Sequence, residues 1–220
     1  ESTRRIFVAA VGKCAVDGAE VLEEVLGERL TGGVVIDVKP AKGFKHLTSY
    51  VGSHPLPSDE NVKATKELIE LLKDAKEEDL IIVLVSGGGS TLLCSPQDMG
   101  HEDEAKIFGA LTSQGATIQE INTVRKHLSL ARGGYLAKHA YPAKVVSLIF
   151  SDVPGNDFQF IASGPTVKDT TTEADAQAIL AKYNALAVCG IERCGLLETP
   201  KDDKYFLRVR NVLAVSNDIA

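Results

Sequence analysis

Three glycines set between two serines, Ser86-Gly87-Gly88-Gly89-Ser90, close the apolar run Leu80–Val85. Glycine lets a backbone approach a ligand closely and adopt positive φ. If Ser90 or Thr91 opens a helix, several N–H groups converge on one small volume, a geometry that suits a phosphate or carboxylate. A second apolar run ends in Gly12-Lys13, at the expected start of a helix. A lysine there opposes the helix dipole by up to ~1 kcal/mol unless it and the helix N-terminus share one anion. The spacing G-x-x-x-x-G-K-[ST] is absent, with Cys14 in the Ser/Thr place, so this is not a P-loop.

Further candidates lie beside these loops. His54, between Ser53 and Pro55-Leu56-Pro57, is placed either to orient a ligand or to serve a stiff turn. In Glu120–Arg132, EINTVRKHLSLAR, Ile121, Val124 and Leu128 should be buried. Arg125 and Lys126 are then candidates to face phosphate or carboxylate, and Asn122 to bond a hydroxyl. The competing reading is a solvated basic face. Asp152 and Asp157 follow an apolar run, as a magnesium-binding or base-providing carboxylate should, although polar loops carry aspartates routinely. His46, His101 and His139 have no supporting pattern and are expected at the surface.

The elements that must position these residues alternate. Strands are expected at Arg5–Val11, Val34–Val38, Leu47–Val51, Leu80–Val85, Lys144–Phe150 and Val209–Val215. Helices are expected at Ala15–Leu26, with Val21, Leu22, Val25 and Leu26 on one face and Gly27 as cap, and at Val62–Leu72 after the N-cap signal Ser58-Asp59. Further helices are expected at Glu102–Gln114, Ile118–Ser129, Tyr135–Ala140 and Glu173–Tyr183; Ala185–Arg208 has no clear assignment. This alternation predicts an α/β fold, a doubly wound, mostly parallel sheet with helices on both faces. Five segments then follow strand carboxyl ends, where such sheets bind ligands: Gly12-Lys13, Ser53-His54-Pro55, Ser86–Ser90, Ser151–Asp157 and Ser216–Asp218. Asn211–Val215 resembles a core strand with no helix after it to cover it, which implies a longer protein and apolar surface open to self-association.

Composition bounds the function. The chain has 220 residues, 44% hydrophobic and 25% charged, with a net charge of −6. That balance argues against a nucleic-acid surface while leaving room for a local basic pocket. No apolar stretch approaches the ~20 residues that span a bilayer. Ile6–Val11 is too short for a signal h-region. Cys14, Cys94, Cys189 and Cys194 lack paired metal spacing, so reduced thiols in a cytoplasmic protein are expected.

These same segments resemble the glycerate 2-kinase family, whose members carry a carboxyl-terminal MOFRL domain and whose older name is hydroxypyruvate reductase. The matching stretches are VGKCA (Val11–Ala15), HPLP (His54–Pro57), SGGGSTLL (Ser86–Leu93), GATIQEINTVRKHLS (Gly115–Ser129), RGGYLA (Arg132–Ala137), SDVPGND (Ser151–Asp157) and IASGPTV (Ile161–Val167). They run in the family's order over nearly the whole chain. The resemblance implies a Rossmann-like three-layer αβα sandwich over residues 1–220, the amino-terminal domain of a protein whose MOFRL domain, with its arginine, is missing here. It implies ATP-dependent phosphorylation of D-glycerate at the 2-hydroxyl with Mg²⁺. Lys13 falls on the family's catalytic lysine and Asp152 on the aspartate of its S-D-V motif. Ser86, Gly87, Gly88, Gly89 and Ser90 fall on its glycine loop, and Asn122, Thr123, Arg125 and Lys126 on its N-T-x-R-K segment. Cys14 stands where the family usually has a small residue, and GND at Gly155–Asp157 replaces a more acidic GDD or GDP.

The expected mechanism is phosphoryl transfer by positioning and charge neutralisation. Ser86–Ser90 would cradle an anionic group and Lys13 stabilise the transferring phosphoryl. Arg125 or Lys126 would clamp a second anion, and Asp152 would bind Mg²⁺ or orient the attacking hydroxyl. The rivals are an NAD-dependent reductase, disfavoured because no G-x-G-x-x-G follows the first strand, and a silent small-anion-binding domain.

Overall fold

The computed structural model describes residues 4–217; Asp218, at the end of the fifth expected ligand segment, lies outside them. Six strands form one sheet: β1 (Ile6–Val11), β2 (Gly32–Asp37), β3 (Leu47–Val51), β4 (Leu80–Val85), β5 (Lys144–Phe150) and β6 (Val209–Val215). Every pairing is parallel and the order is β3-β2-β1-β4-β5-β6. The chain therefore winds outward in both directions from β1 and β4, which pair from Ile6↔Leu80 to Val11↔Val85. Ligands in such sheets bind in the crevice at that reversal, beyond the strands' carboxyl ends.

Alternation along the strands makes the layers. Val8, Ala10 and Leu84 point to one face, where α1 (Ala15–Leu26) packs through Ala15, Val16 and Ala19. Phe7, Ala9, Val11, Ile81, Val83 and Val85 point to the other and meet α2 (Asp59–Lys73). Leu68 and Leu72 of α2 are fully buried there, each stabilising by roughly 1.5–3 kcal/mol. The three-layer αβα expectation holds. The expected apolar face of α1 does not: Val21 and Val25 are exposed, and Ala15, Val16, Ala19 and the partly buried Leu22 and Leu26 face the sheet. Gly18, against the Leu84 side chain, lets that small-residue face lie close to the strands. Gly27 ends α1 with positive φ, as expected. Ser58 precedes α2 but does not cap it with its side chain; its hydroxyl donates to Asn61 Oδ1 at 2.9 Å.

After β4 come α3 (Gly89–Leu92), α4 (His101–Ser113), α5 (Ile118–His127) and α6 (Tyr135–Ala140). The open segment 185–208 resolves into α8 (Ala185–Cys189), which follows α7 (Glu173–Lys182), then irregular chain and one 3₁₀ turn at Asp203–Tyr205. Helices α4, α5, α7 and α8 build an apolar cluster of their own around Ile107, Leu111, Val124, Leu128 and Leu180. Within it Ile121, Val124 and Leu128 are buried as expected. The Thr117 hydroxyl and Glu120 carboxylate form a reciprocal capping box that starts α5. Among the described residues β6 pairs only with β5, so it is an edge strand rather than the core strand its sequence suggests, and Leu213 and Val215 stay exposed.

Candidate active site

At the reversal of strand order the loops after β1 and β4 lock together. The Lys13 N–H donates to Gly87 O at 2.9 Å, and the Ser86 N–H to Val11 O at 3.0 Å. Ser86 is buried, its Oγ accepting the Cys14 N–H at 3.1 Å. It therefore clamps the two strand ends instead of facing a ligand, which corrects its expected place in the cradle. The N–H groups of Ala15 and Val16 are also taken, by Gly12 O and Asp37 Oδ2. The start of α1 thus does not share an anion with Lys13 through these amides.

A cavity of about 510 Å³ opens beyond this junction. Gly87, Gly88 and Ser90 line it, and their backbone N–H groups have no acceptor among the described residues. Gly88 has φ +83°, a conformation costly for other residues. A Cβ on Gly87 would collide with the Asp152 carboxylate, so that acid sits directly against the loop. Gly89 is buried outside the cavity wall. Lys13 does not line this cavity, but its stem runs beside Gly88, where a Cβ would lie 3.2 Å from its Cε and 3.3 Å from His54 Cδ2. Lys13 makes no ion pair among the described residues.

Further lining comes from α5 and the segment after β5. Asn122 and Arg125, three apart, both reach the cavity. Arg125 has no carboxylate partner among the described residues. Its Nε is buried without a hydrogen-bond acceptor, and its guanidinium lies 4.6 Å from the centre of the Phe108 ring. Burial, then the neighbouring Arg132, push its pKa down to about 10, with Glu104 partly offsetting them. At neutral pH the group is still a cation, in a place where a cation without a counterion is costly.

Lys126, the next residue, departs from its expected role. It is buried and pairs with the buried Asp169 at 3.0 Å, away from the cavity. Burial works to raise the Asp169 carboxyl, but the Lys126 charge and the Thr171 N–H together hold it below the usual range. Thr123 turns its hydroxyl to Gln119 O within the helix.

His54 and Asp157 are exposed cavity-lining residues. Burial, then Lys13 and Arg125, lower the His54 pKa, with Asp152 opposing them; the imidazole is neutral at pH 7. Asp157 Oδ1 accepts the Gln159 N–H at 2.9 Å. Among the described residues no three His, Cys, Asp or Glu converge as a metal cage. His139 is not a surface residue: it is half-buried, bonded through Nε2 to Leu130 O at 2.9 Å and stacked on Tyr135. His46 and His101 are also half-buried.

Sequence reasoning assigned no role to Ser163, within the quoted IASGPTV, nor to the ion pair of Glu104 and Arg132. Ser163 is buried and bonds Ser90 and Asn122, both of which line the cavity. Arg132 and Glu104, both buried, pair at 2.7 Å behind Arg125.

Fold and site together define a doubly wound α/β domain whose switch-point cavity is lined by unbonded backbone N–H groups and an arginine. The profile of the family described as a domain of unknown function (DUF4147) matches residues 1–190, and the chain belongs to that family. It is 40% identical over 203 residues to the D-glycerate 2-kinase of Thermotoga maritima, covering 90% of this chain and 48% of that one. A crystal structure of glycerate kinase from Thermotoga maritima superposes with a TM-score of 0.82 at 36% identity, covering 97% of this chain and 52% of the other. A protein of Agrobacterium vitis, named provisionally a hydroxypyruvate reductase, is 40% identical over 220 residues, 96% of this chain and 49% of that one. The chain thus spans about half the length of the curated relatives it matches.

Proposed function

We propose that this chain supplies one wall of the active site of a D-glycerate 2-kinase, the activity named for its Thermotoga maritima relative, with ATP as the phosphoryl donor. The observation that carries the reading is Arg125, a cation with no counterion among the described residues, lining the same cavity as the free N–H groups of Gly87, Gly88 and Ser90. A cleft arranged this way lowers its own electrostatic cost by binding anions, and both glycerate and ATP are anionic. The loop amides hold one anionic group and Arg125 clamps another. Lys13, beside the loop, stabilises charge on the transferring phosphoryl group. His54, neutral at pH 7, acts as a hydrogen-bonding group and adds no charge.

Magnesium fits this wall in one way only. Asp152 and Asp157 offer one or two carboxylates, matching a cation that arrives with most of its ligands on the nucleotide phosphates. Asp152, against the glycine loop, is the residue that would hold it. Bound there, the ion supplies charge neutralisation to the phosphates. The remaining wall, which the family resemblance assigns to a MOFRL domain, would come from the rest of the full-length protein.

The reductase reading is weaker for a structural reason. A dinucleotide fold uses an acidic residue at the end of its second strand to bind the ribose. Asp37 holds that place, but it is fully buried and accepts the Val16 and Val38 N–H groups at 2.9 and 2.6 Å.

The test is Lys13→Ala in the full-length protein. ATP- and glycerate-dependent turnover should fall by about 10²–10³-fold; unchanged turnover contradicts the proposal. The exposed Leu213 and Val215 on β6 further support self-association of the chain. A monomeric elution at high concentration in size-exclusion chromatography counts against that part.

A further inference from the structure

Behind the cavity, one buried hydroxyl fixes the direction of a hydrogen-bond relay. Asn122 Nδ2 lies 2.9 Å from Ile118 O. A carbonyl oxygen only accepts, so the nitrogen must face it, and Asn122 Oδ1 is left as the acceptor on the other side. Ser163 Oγ is 2.8 Å from that Oδ1 and must donate to it. Ser163 has one hydroxyl proton, so it can only accept from Ser90 Oγ, 2.9 Å away. The Ser90 proton is thereby aimed at Ser163 and away from the cavity that Ser90 lines.

We infer that Ser163 is a positioning residue that makes Ser90 a hydrogen-bond acceptor toward the cavity. Ser90 Oγ then recognises a donor, a hydroxyl of the hydroxy-acid substrate, and disfavours the oxygen of a phosphate or carboxylate, which brings no proton. This rests on the kinase reading above for the identity of the ligand, but the polarity of the relay does not. It also divides labour within the glycine loop: the Gly87, Gly88 and Ser90 amides serve the anion, and the Ser90 side chain serves a hydroxyl.

The backbone around Ser163 supports a dedicated role. Ala162, Ser163 and Gly164 are consecutive left-handed residues, with φ of 50°, 59° and 61°. L-residues other than glycine adopt this conformation at a cost, and such strain gathers at functional sites. The turn is held there by Gly133 and Gly134, whose N–H groups donate to Ser163 O and Gly164 O at 2.8 Å each. It also brings Ala162 against Gly89, where a Cβ would come within 2.6 Å of the Ala162 Cβ. A glycine at position 163 would relieve the strain and remove the hydroxymethyl group, hydroxyl included.

Two measurements test the proposal. Neutron diffraction from deuterated crystals needs no substrate: it should find the Ser90 deuteron pointing to Ser163 and the Ser163 deuteron pointing to Asn122. A Ser90 deuteron pointing into the cavity overturns the polarity, whether or not the protein is a glycerate kinase. In the full-length protein, calorimetry compares D-glycerate with lactate and 3-hydroxypropanoate, each lacking one hydroxyl. For the hydroxyl that Ser90 accepts, the wild type should bind the deoxy compound about tenfold more weakly. Ser90→Ala should abolish that discrimination, and Ser163→Ala and Ser163→Gly should shrink it while leaving Mg·ATP affinity in place. Ser163→Gly keeps the test valid if Ser163→Ala folds poorly. Equal discrimination in wild type and all variants overturns the role of Ser90. Failure of the wild type to bind any of the three compounds refutes the kinase reading instead, and the neutron result then decides the polarity alone.

Discussion

Arg125 and Lys126 are adjacent cations on α5 with opposite surroundings. Lys126 turns inward onto Asp169 and is buried with its counterion. Arg125, about 100° round the helix from it, is half-buried beside the cavity with its Nε buried and no counterion among the described residues. The first arrangement is complete within the chain and reads as structure. The second lacks an anion that something else must supply, and reads as function. Charge alone does not separate a binding residue from a structural one; the presence of a partner does.

The sharpest way to break this contrast is thermodynamic. Removing the Asp169 charge with Asp169→Asn leaves Lys126 buried and unpaired, and should cost about 3–5 kcal/mol of stability in denaturant unfolding. Arg125→Met should change stability by less than about 1 kcal/mol, because no ion pair is broken. The double variant Lys126→Met/Asp169→Leu should recover most of the loss. Equal destabilisation by Arg125→Met and Asp169→Asn would abolish the distinction.

A smaller effect is expected elsewhere in the cavity. Gly87→Ala should displace the Asp152 carboxylate and lower turnover of the full-length protein by at least about tenfold with the fold intact, since small misplacements in such sites are costly. Wild-type turnover from this variant would show that Asp152 need not sit against the loop. The smallest effect concerns His139, away from the cavity. Burial lowers its pKa, with the Leu130 carbonyl opposing, so the unfolded chain binds its proton more readily than the folded one. Stability from this residue is complete above the ordinary histidine range near 6.5 and declines as pH falls through it. His139→Gln should flatten that part of the pH–stability profile; an unchanged slope contradicts the assignment.

The strands and their carboxyl-terminal loops were legible in the sequence because both signals are local. An apolar run followed by glycine marks a buried strand and its turn, and this located Gly12-Lys13 and Ser86–Ser90. The partner of Lys126 was not legible, since Asp169 lies 43 residues downstream and meets it only through tertiary packing. Nor was the role of Ser86, whose hydroxyl bonds an amide 72 residues away. The face of α1 was misread for a related reason. Val21 and Val25 are the more hydrophobic residues, yet the sheet accepts the smaller Ala15 and Ala19 because the helix lies close over Leu84. Likewise β6 has core-strand composition, but its place at the sheet edge is a property of topology.

The central claim is that the unpaired cation on α5 awaits a small anionic substrate. Calorimetric titration of D-glycerate and of Mg·ATP into the full-length protein, its Arg125→Met variant and the Lys126→Met/Asp169→Leu double variant tests it most directly. The account predicts that Arg125→Met weakens at least one of the two ligands by about 10–100-fold and that the double variant binds both as the wild type does. Undiminished binding by Arg125→Met, with loss in the double variant, would contradict it.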